Sequence, residues 1–151
     1  LTFDKILRQE DKSLNFLILK KITEQLIELK PEYLFILGDV YHTKDTVSAT
    51  VMNIYYNFIK NITENLKIKV VQIVGNHDYS IVDDNQQYYH AFYQLSNIEG
   101  LTIVDDTFIL DGKFGFMSYC RNKENFTSKI NKLKNCEMLF AHLDINGFNP
   151  G

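Results

Sequence analysis

Hydrophobic positions along this chain alternate between two rhythms. Over residues 14–29, Leu14, Leu17, Ile18, Ile22, Leu26 and Leu29 recur at spacings of three and four, which lines one face of an α-helix. Lys30-Pro31 stops it, because proline cannot continue a helix. The run Tyr-Leu-Phe-Ile-Leu-Gly-Asp at residues 33–39 reads as a short buried strand. Helical spacing returns at Val47, Val51, Ile54, Tyr55, Phe58 and Ile62, and a second apolar run fills residues 68–74. The order helix, strand, helix, strand predicts parallel strands joined by long crossovers, an α/β fold.

Beyond Ser80 a polar stretch, Ile-Val-Asp-Asp-Asn-Gln-Gln, leads into a predicted helix near residues 88–96. Three short runs over residues 101–106, 107–112 and 113–120, broken by Asp111-Gly112, predict a hairpin or meander. Helical spacing reappears over residues 126–133, and Glu-Met-Leu-Phe-Ala-His-Leu-Asp at 137–144 reads as a last strand. No repeat, low-complexity tract or linker divides the chain. One domain over residues 1–151 is therefore expected, and 45% hydrophobic residues suffice for its core.

Composition narrows the setting. No stretch reaches the roughly 18 apolar residues a membrane helix needs, so no membrane association is expected. Cys120 and Cys136 are too few for a disulfide framework, and no signal-like segment opens the chain. A reduced, cytoplasmic location is the expectation. Sixteen basic against nineteen acidic side chains leave a net charge of -3. That excludes a basic nucleic-acid arm. It is only a mild objection to a nuclease, since metals and local lysines can also hold phosphate.

Three of the apolar strands end in polar residues: Asp39 after the first, Asn76 and His77 after the second, His142 after the last. The carboxyl ends of strands in an open parallel sheet share one edge, where ligands bind. These residues are therefore expected to converge. A carboxylate, an amide oxygen and an imidazole suit Mn, Fe or Zn. No cysteine is among them, so a closed structural zinc site is not expected. Asp39, with two oxygens, is the candidate bridge between two divalent ions. Such a pair, about 3.5–4 Å apart, clamps the attacking and leaving oxygens in phosphoryl displacement.

Gly38-Asp39-Val40-Tyr41-His42, then Gly75-Asn76-His77-Asp78, then Ala141-His142 resembles the calcineurin-like metallophosphoesterase superfamily. These look like three of its five motifs, in order and each after a strand. The likeness runs from about Tyr33 to the end. The first motif, Asp-x-His, and the last, Gly-His-x-His, are expected to lie outside a chain that opens on Leu1 and stops at Gly151. The expectation is a truncated metallophosphoesterase domain, incomplete at both ends and inactive by itself. The resemblance implies an αββα sandwich with a metal site at the carboxyl ends of its strands. It implies two divalent ions, Mn in the first place and Fe, Zn or Mg as alternatives.

Carried over by position, Asp39 resembles the bridging carboxylate, and Asn76 and His142 resemble ligands of the second metal. His77 resembles the catalytic histidine beside the scissile phosphate, Asp78 the residue that orients it, and His42 one that positions the phosphate or His77. The nucleophile implied is a hydroxide held by the metals. Gly-Asp-x-aromatic-His is the form found in SbcD-type DNA repair exonucleases. The segment Ala-His-Leu-Asp-Ile-Asn-Gly-Phe-Asn-Pro-Gly resembles tailed-phage relatives of that branch. This finer likeness implies a DNA substrate, exo- or endonucleolytic, in double-strand-break repair or recombination. It also implies an SbcC-type coiled-coil ATPase partner, a homodimer, and a cytoplasm that is the cell's own or a phage-infected host's. Two other readings stay open. One is a metallophosphatase or cyclic-nucleotide phosphodiesterase on the same scaffold; the other is a non-catalytic scaffold with a degenerate metal site. His90 and its aromatic neighbours Tyr88, Tyr89, Phe92 and Tyr93 read as packing, with base stacking in single-stranded DNA as the alternative.

Overall fold

The computed structural model describes residues 12–41, 47–81, 88–120 and 123–144. Helix α1, Lys12–Leu29, closes where Lys30 takes a positive φ of 46° and donates its N–H to the Leu26 carbonyl. Strand β1, Tyr33–Ile36, follows. Helix α2, Ala49–Lys60, starts at Ser48, whose hydroxyl accepts the Val51 N–H at 3.3 Å. That bond satisfies one of the orphan donors of a helix start. A π turn, Asn61–Asn65, leads to strand β2, Lys69–Ile73.

β2 pairs in parallel with β1 on one side and with β5, Leu101–Val104, on the other. Because side chains alternate along a strand, β2 serves two cores at once. Val70 packs with Leu26, Tyr55, Ile59 and Ile62 on the helix side. Val71 and Ile73 meet Val104, Leu110 and Phe116 on the other. Burial on both faces explains why this strand reads as nearly unbroken apolar sequence.

The second face is covered by another sheet. Strand β6, Thr107–Leu110, and strand β7, Phe114–Met117, form an antiparallel hairpin. Its turn needs positive φ at Asp111 (52°) and Gly112 (68°), residues that tolerate it. Strand β8, Met138–Ala141, then joins β7 in parallel. Helix α3, Lys123–Leu133, covers the far side: Leu133 and Cys136 lie so close to Gly115 of β7 that a Cβ there would be 3.1 Å from the Cys136 sulfur. Between the sheets, Phe35 of β1 meets Phe116 and Phe140, with ring centres 4.9 and 5.1 Å away. The layers therefore run helices, sheet, sheet, helix, the expected αββα sandwich.

Three expectations change. Residues 88–96 are not a helix. They form strand β4, Tyr88–His90, paired with strand β3, Tyr79–Ile81, and a single 3-10 turn, Tyr93–Leu95. Tyr and His suit a pleated ribbon at least as well as a helix, and pairing with β3 satisfies their backbone. Residues 101–104 leave the predicted meander and complete the parallel sheet, since Leu101 and Ile103 face one core and Val104 the other. The three polar strand ends also do not share one sheet edge. β1 and β2 belong to the first sheet and β8 to the second.

Candidate metal centre

The two sheets are tied at their carboxyl ends. Tyr119, just after β7, donates its N–H to the Val74 carbonyl just after β2, at 2.9 Å. The end of β8 is thereby brought to the ends of β1 and β2.

The loop after β1 turns sharply. Gly38 has φ of +92° and Asp39 of +53°. Gly38 is required twice over. Its φ disfavours a side chain, and a Cβ would lie 2.7 Å from His142 Nδ1 and 2.9 Å from the Gly75 Cα. A Cβ on Gly75 would in turn overlap the Asp39 carboxylate and backbone nitrogen. The two loops thus touch backbone to backbone, and the imidazole of β8 drops onto the contact.

Asp78 holds this crossing together. Its Oδ2 accepts the N–H groups of Asp39 and Gly75, both at 2.8 Å, and its Oδ1 accepts that of Tyr41 at 3.1 Å. It is 3% exposed. Burial pushes its carboxyl up to about 6 against the pull of those N–H bonds and with a further push from the Asp39 charge. The non-glycine left-handed conformation of Asp39 costs about 1 kcal/mol or more, and this brace offsets it. Sequence reasoning expected Asp78 to orient the His77 ring. Three backbone donors on two loops bond to it here, a bracing role in addition to the expected one.

Above the brace three donor groups meet. Asp39 Oδ1 accepts the His77 backbone N–H at 3.0 Å and lies 3.4 Å from His142 Nε2. The inner atom of the Asn76 amide is 2.9 Å from His142 Nε2, and 3.1 and 3.2 Å from the two Asp39 oxygens. His142 Nδ1 sits 2.9 Å from the Leu37 carbonyl. A carbonyl only accepts, so Nδ1 carries a proton, and the Nε2 lone pair of the neutral ring is aimed at Asp39 and Asn76. Tyr119 meets the same ring edge to face, centres 6.1 Å apart, and donates its hydroxyl to Asp144 at 2.6 Å.

The electrostatics couple these groups. Burial pushes the Asp39 carboxyl up, but the bonds from His142 and His77 and both imidazole charges outweigh it, holding it below the usual range. For His142 burial pulls the other way from Asp39, Leu37 and Asp78, and these three win, raising the imidazole above its ordinary value. Without a cation, then, the ring takes up a second proton, at Nε2, more readily than a free imidazole does.

The donor set fits a divalent cation. With the Asn76 oxygen turned inward, it faces two carboxylate oxygens at hydrogen-bond distance with no proton of its own to share. A positive charge among them relieves that opposition; turning the amide nitrogen inward closes the cluster with hydrogen bonds instead. Carboxylate, amide oxygen and imidazole are ligands for Mn, Fe or Zn. Among the described residues no three His, Cys, Asp or Glu side chains gather to hold a metal, so Asn76 is needed as the third donor.

The structure therefore brings Asp39, Asn76 and His142 together from three strands and sets His77 on the same turn, half-buried. His42 lies outside the described residues. Sequence reasoning missed the Leu37 carbonyl and the Tyr119–Asp144 pair. Backbone acceptors carry no residue signal, and Tyr119 follows an unremarkable apolar strand.

Residues 14–148 match the calcineurin-like phosphoesterase family. The chain belongs to that family. Its members generally hold two divalent metal ions. It is similar to Putative phosphoesterase 244L of Invertebrate iridescent virus 6, with 29% identity over 125 residues, 76% of this chain and 42% of that protein. It is also similar to the DNA double-strand break repair protein Mre11 of Nanoarchaeum equitans (strain Kin4-M). There the identity is 34% over 71 residues, 47% of this chain and 19% of the relative. The chain thus spans less than half the length of either relative. Among the described residues no helix is long and apolar enough to cross a membrane.

Proposed function

We propose that this calcineurin-like phosphoesterase is a metal-dependent phosphodiester hydrolase acting on DNA, a nuclease of the SbcD and Mre11 type. The observation that carries a metal-dependent reaction is the approach of the Asp39, Asn76 and His142 head groups to within 3.4 Å of one another. The DNA substrate is supported by the likeness to Mre11 and by the Gly-Asp-x-aromatic-His form at residues 38–42.

In this reading Asp39, Asn76 and His142 would hold a divalent ion, Mn in the first place, and Asp39 would be shared with a second ion. Such ions supply positive charge to phosphate oxygens and lower the pKa of water. The chain's own residues do the rest. Asp78 fixes the two loops at the spacing the ligands need. The Leu37 carbonyl keeps His142 in the tautomer that presents Nε2. His77, anchored through its N–H to Asp39, donates a proton to the leaving oxygen. His42 positions the phosphate, and an SbcC-type ATPase and a second copy of the chain are the partners this reading carries.

The test compares linear DNA, bis(p-nitrophenyl) phosphate and a nucleotide monoester as substrates of the full-length protein with Mn. Turnover of DNA is expected, and His77→Ala should lower it by about 10²-fold or more while Mn binding persists. Hydrolysis of the monoester alone would instead identify a phosphatase. Absence of Mn binding would identify a scaffold.

A further inference from the structure

Beyond the metal centre, a row of aromatic rings leads from its loop to the surface. Tyr79 follows Asp78 directly and opens β3. It pairs with His90 of β4, and their rings meet edge to face with centres 6.3 Å apart. His90 stacks on Tyr93, with centres 4.3 Å apart and planes 11° from parallel. Tyr89 stands beside Tyr93 at 6.3 Å. Exposure reverses along the row: His90 is 7% exposed, Tyr89 42% and Tyr93 55%.

The buried end is firmly held. His90 Nδ1 accepts the Phe92 N–H at 3.2 Å, and Nε2 lies 3.8 Å from the Asp105 carboxylate. Phe92 is fully buried and stacks on Tyr41, of the Asp39 loop, at 5.3 Å. Tyr93 therefore rests flat on a buried ring with half its surface in solvent. An exposed tyrosine ordinarily gives up rotamer freedom when it binds something; this one is already in position.

We infer that Tyr93, with Tyr89 beside it, is a stacking platform for an unpaired nucleobase of the substrate. The inference rests on the nuclease reading above and names which part of the nucleic acid the chain grips outside the metal centre. The surroundings favour a base over a phosphate. The Asp105 side chain, 57% exposed, stands against the pedestal. A carboxylate there repels phosphate, yet leaves a π face available and accepts from an exocyclic amine. Stacking of this kind tolerates any base. β4, which carries Tyr89 and leads into the turn bearing Tyr93, pairs directly with β3, the strand leaving the Asn76–His77 loop. A strand of nucleic acid with its phosphate at that loop is thus led toward the rings.

The test is oligonucleotide binding to the full-length protein in EDTA, followed by fluorescence anisotropy. The probes are a short single strand and an abasic strand of equal length. Tyr93→Ala should weaken binding of the normal strand by about tenfold or more. Tyr93→Phe should preserve it, and the abasic strand should bind the parent protein as weakly as the normal strand binds Tyr93→Ala. Unchanged melting of Tyr93→Ala and unchanged hydrolysis of methyl p-nitrophenyl phosphate, which has no base, accompany that result. Equal binding of normal and abasic strands, or indifference to Tyr93→Ala, overturns the platform even if DNA is cleaved. Binding that depends on Tyr93 in a protein that hydrolyses no diester leaves the platform standing and removes the nuclease reading.

Discussion

At the level of single residues, Gly75 and His142 show two different constraints. Gly75 is there because a methyl group would occupy the space of the Asp39 carboxylate. The substitution Gly75→Ala is expected to cost about 1–3 kcal/mol in denaturant unfolding. It should also remove Mn binding in the protein that remains folded, because the intruding carbon displaces a ligand. His142 is constrained by protons. Its raised pKa means that Nε2 is protonated in the cation-free protein up to a pH above the ordinary imidazole value of 6.5. If His142 ligates a cation as proposed, the cation displaces that proton, so affinity rises as pH rises through the raised value and falls on acidification. Calorimetry with Mn at pH 6 and pH 8 should show weaker binding at the lower pH and proton release into the buffer. His142→Ala should abolish both effects. Of these features, Asp39, Asn76, His77 and His142 stood out in the sequence because polar groups end apolar runs. The bracing role of Asp78 did not, since a carboxylate facing backbone amides looks the same in sequence as one facing an imidazole.

Among the elements, strands and helices were legible where one periodicity dominated. α1, α2, α3, β1, β2, β8 and the β6–β7 hairpin all lie where the apolar spacing puts them. The ribbon at residues 88–90 was not legible. Aromatic residues spaced three and four apart mimic a helix, and only the neighbouring β3 decides for pairing. β2 also carries a buried exception, Gln72. Its Oε1 accepts the Tyr55 hydroxyl at 2.6 Å, and its Nε2 has no partner among the described residues. Tyr55→Phe alone leaves that oxygen unmet and should cost about 1 kcal/mol. Adding Gln72→Leu removes both polar groups and should recover most of the loss, as a double-mutant cycle in urea would measure.

For the molecule as a whole, the decisive feature is that the donor cluster spans two sheets. Asp39 and Asn76 come from the first and His142 from the second, so their spacing depends on the aromatic layer between. Phe116, fully buried and packed on Phe35 and Phe140, is the centre of that layer. Phe116→Ala is expected to cost about 3–5 kcal/mol. It should also weaken Mn binding at temperatures well below its melting point, since β8 then loses its seating on β1. An unchanged Mn affinity in the folded variant would mean that the strand ends hold the cluster without the layer.

The order of residues was enough to determine an α/β chain, the elements with a clear period, and the strand ends that carry polar side chains. Those properties are local, because periodicity and the turn preferences of Gly, Asn and Asp act over a few neighbours. Which sheet each strand joins, that β8 faces β1 across an aromatic layer, and that Asp78 binds two loops were decided only by tertiary packing. Such pairings depend on which surfaces can be buried together across roughly a hundred residues, and no stretch of sequence records its distant partner.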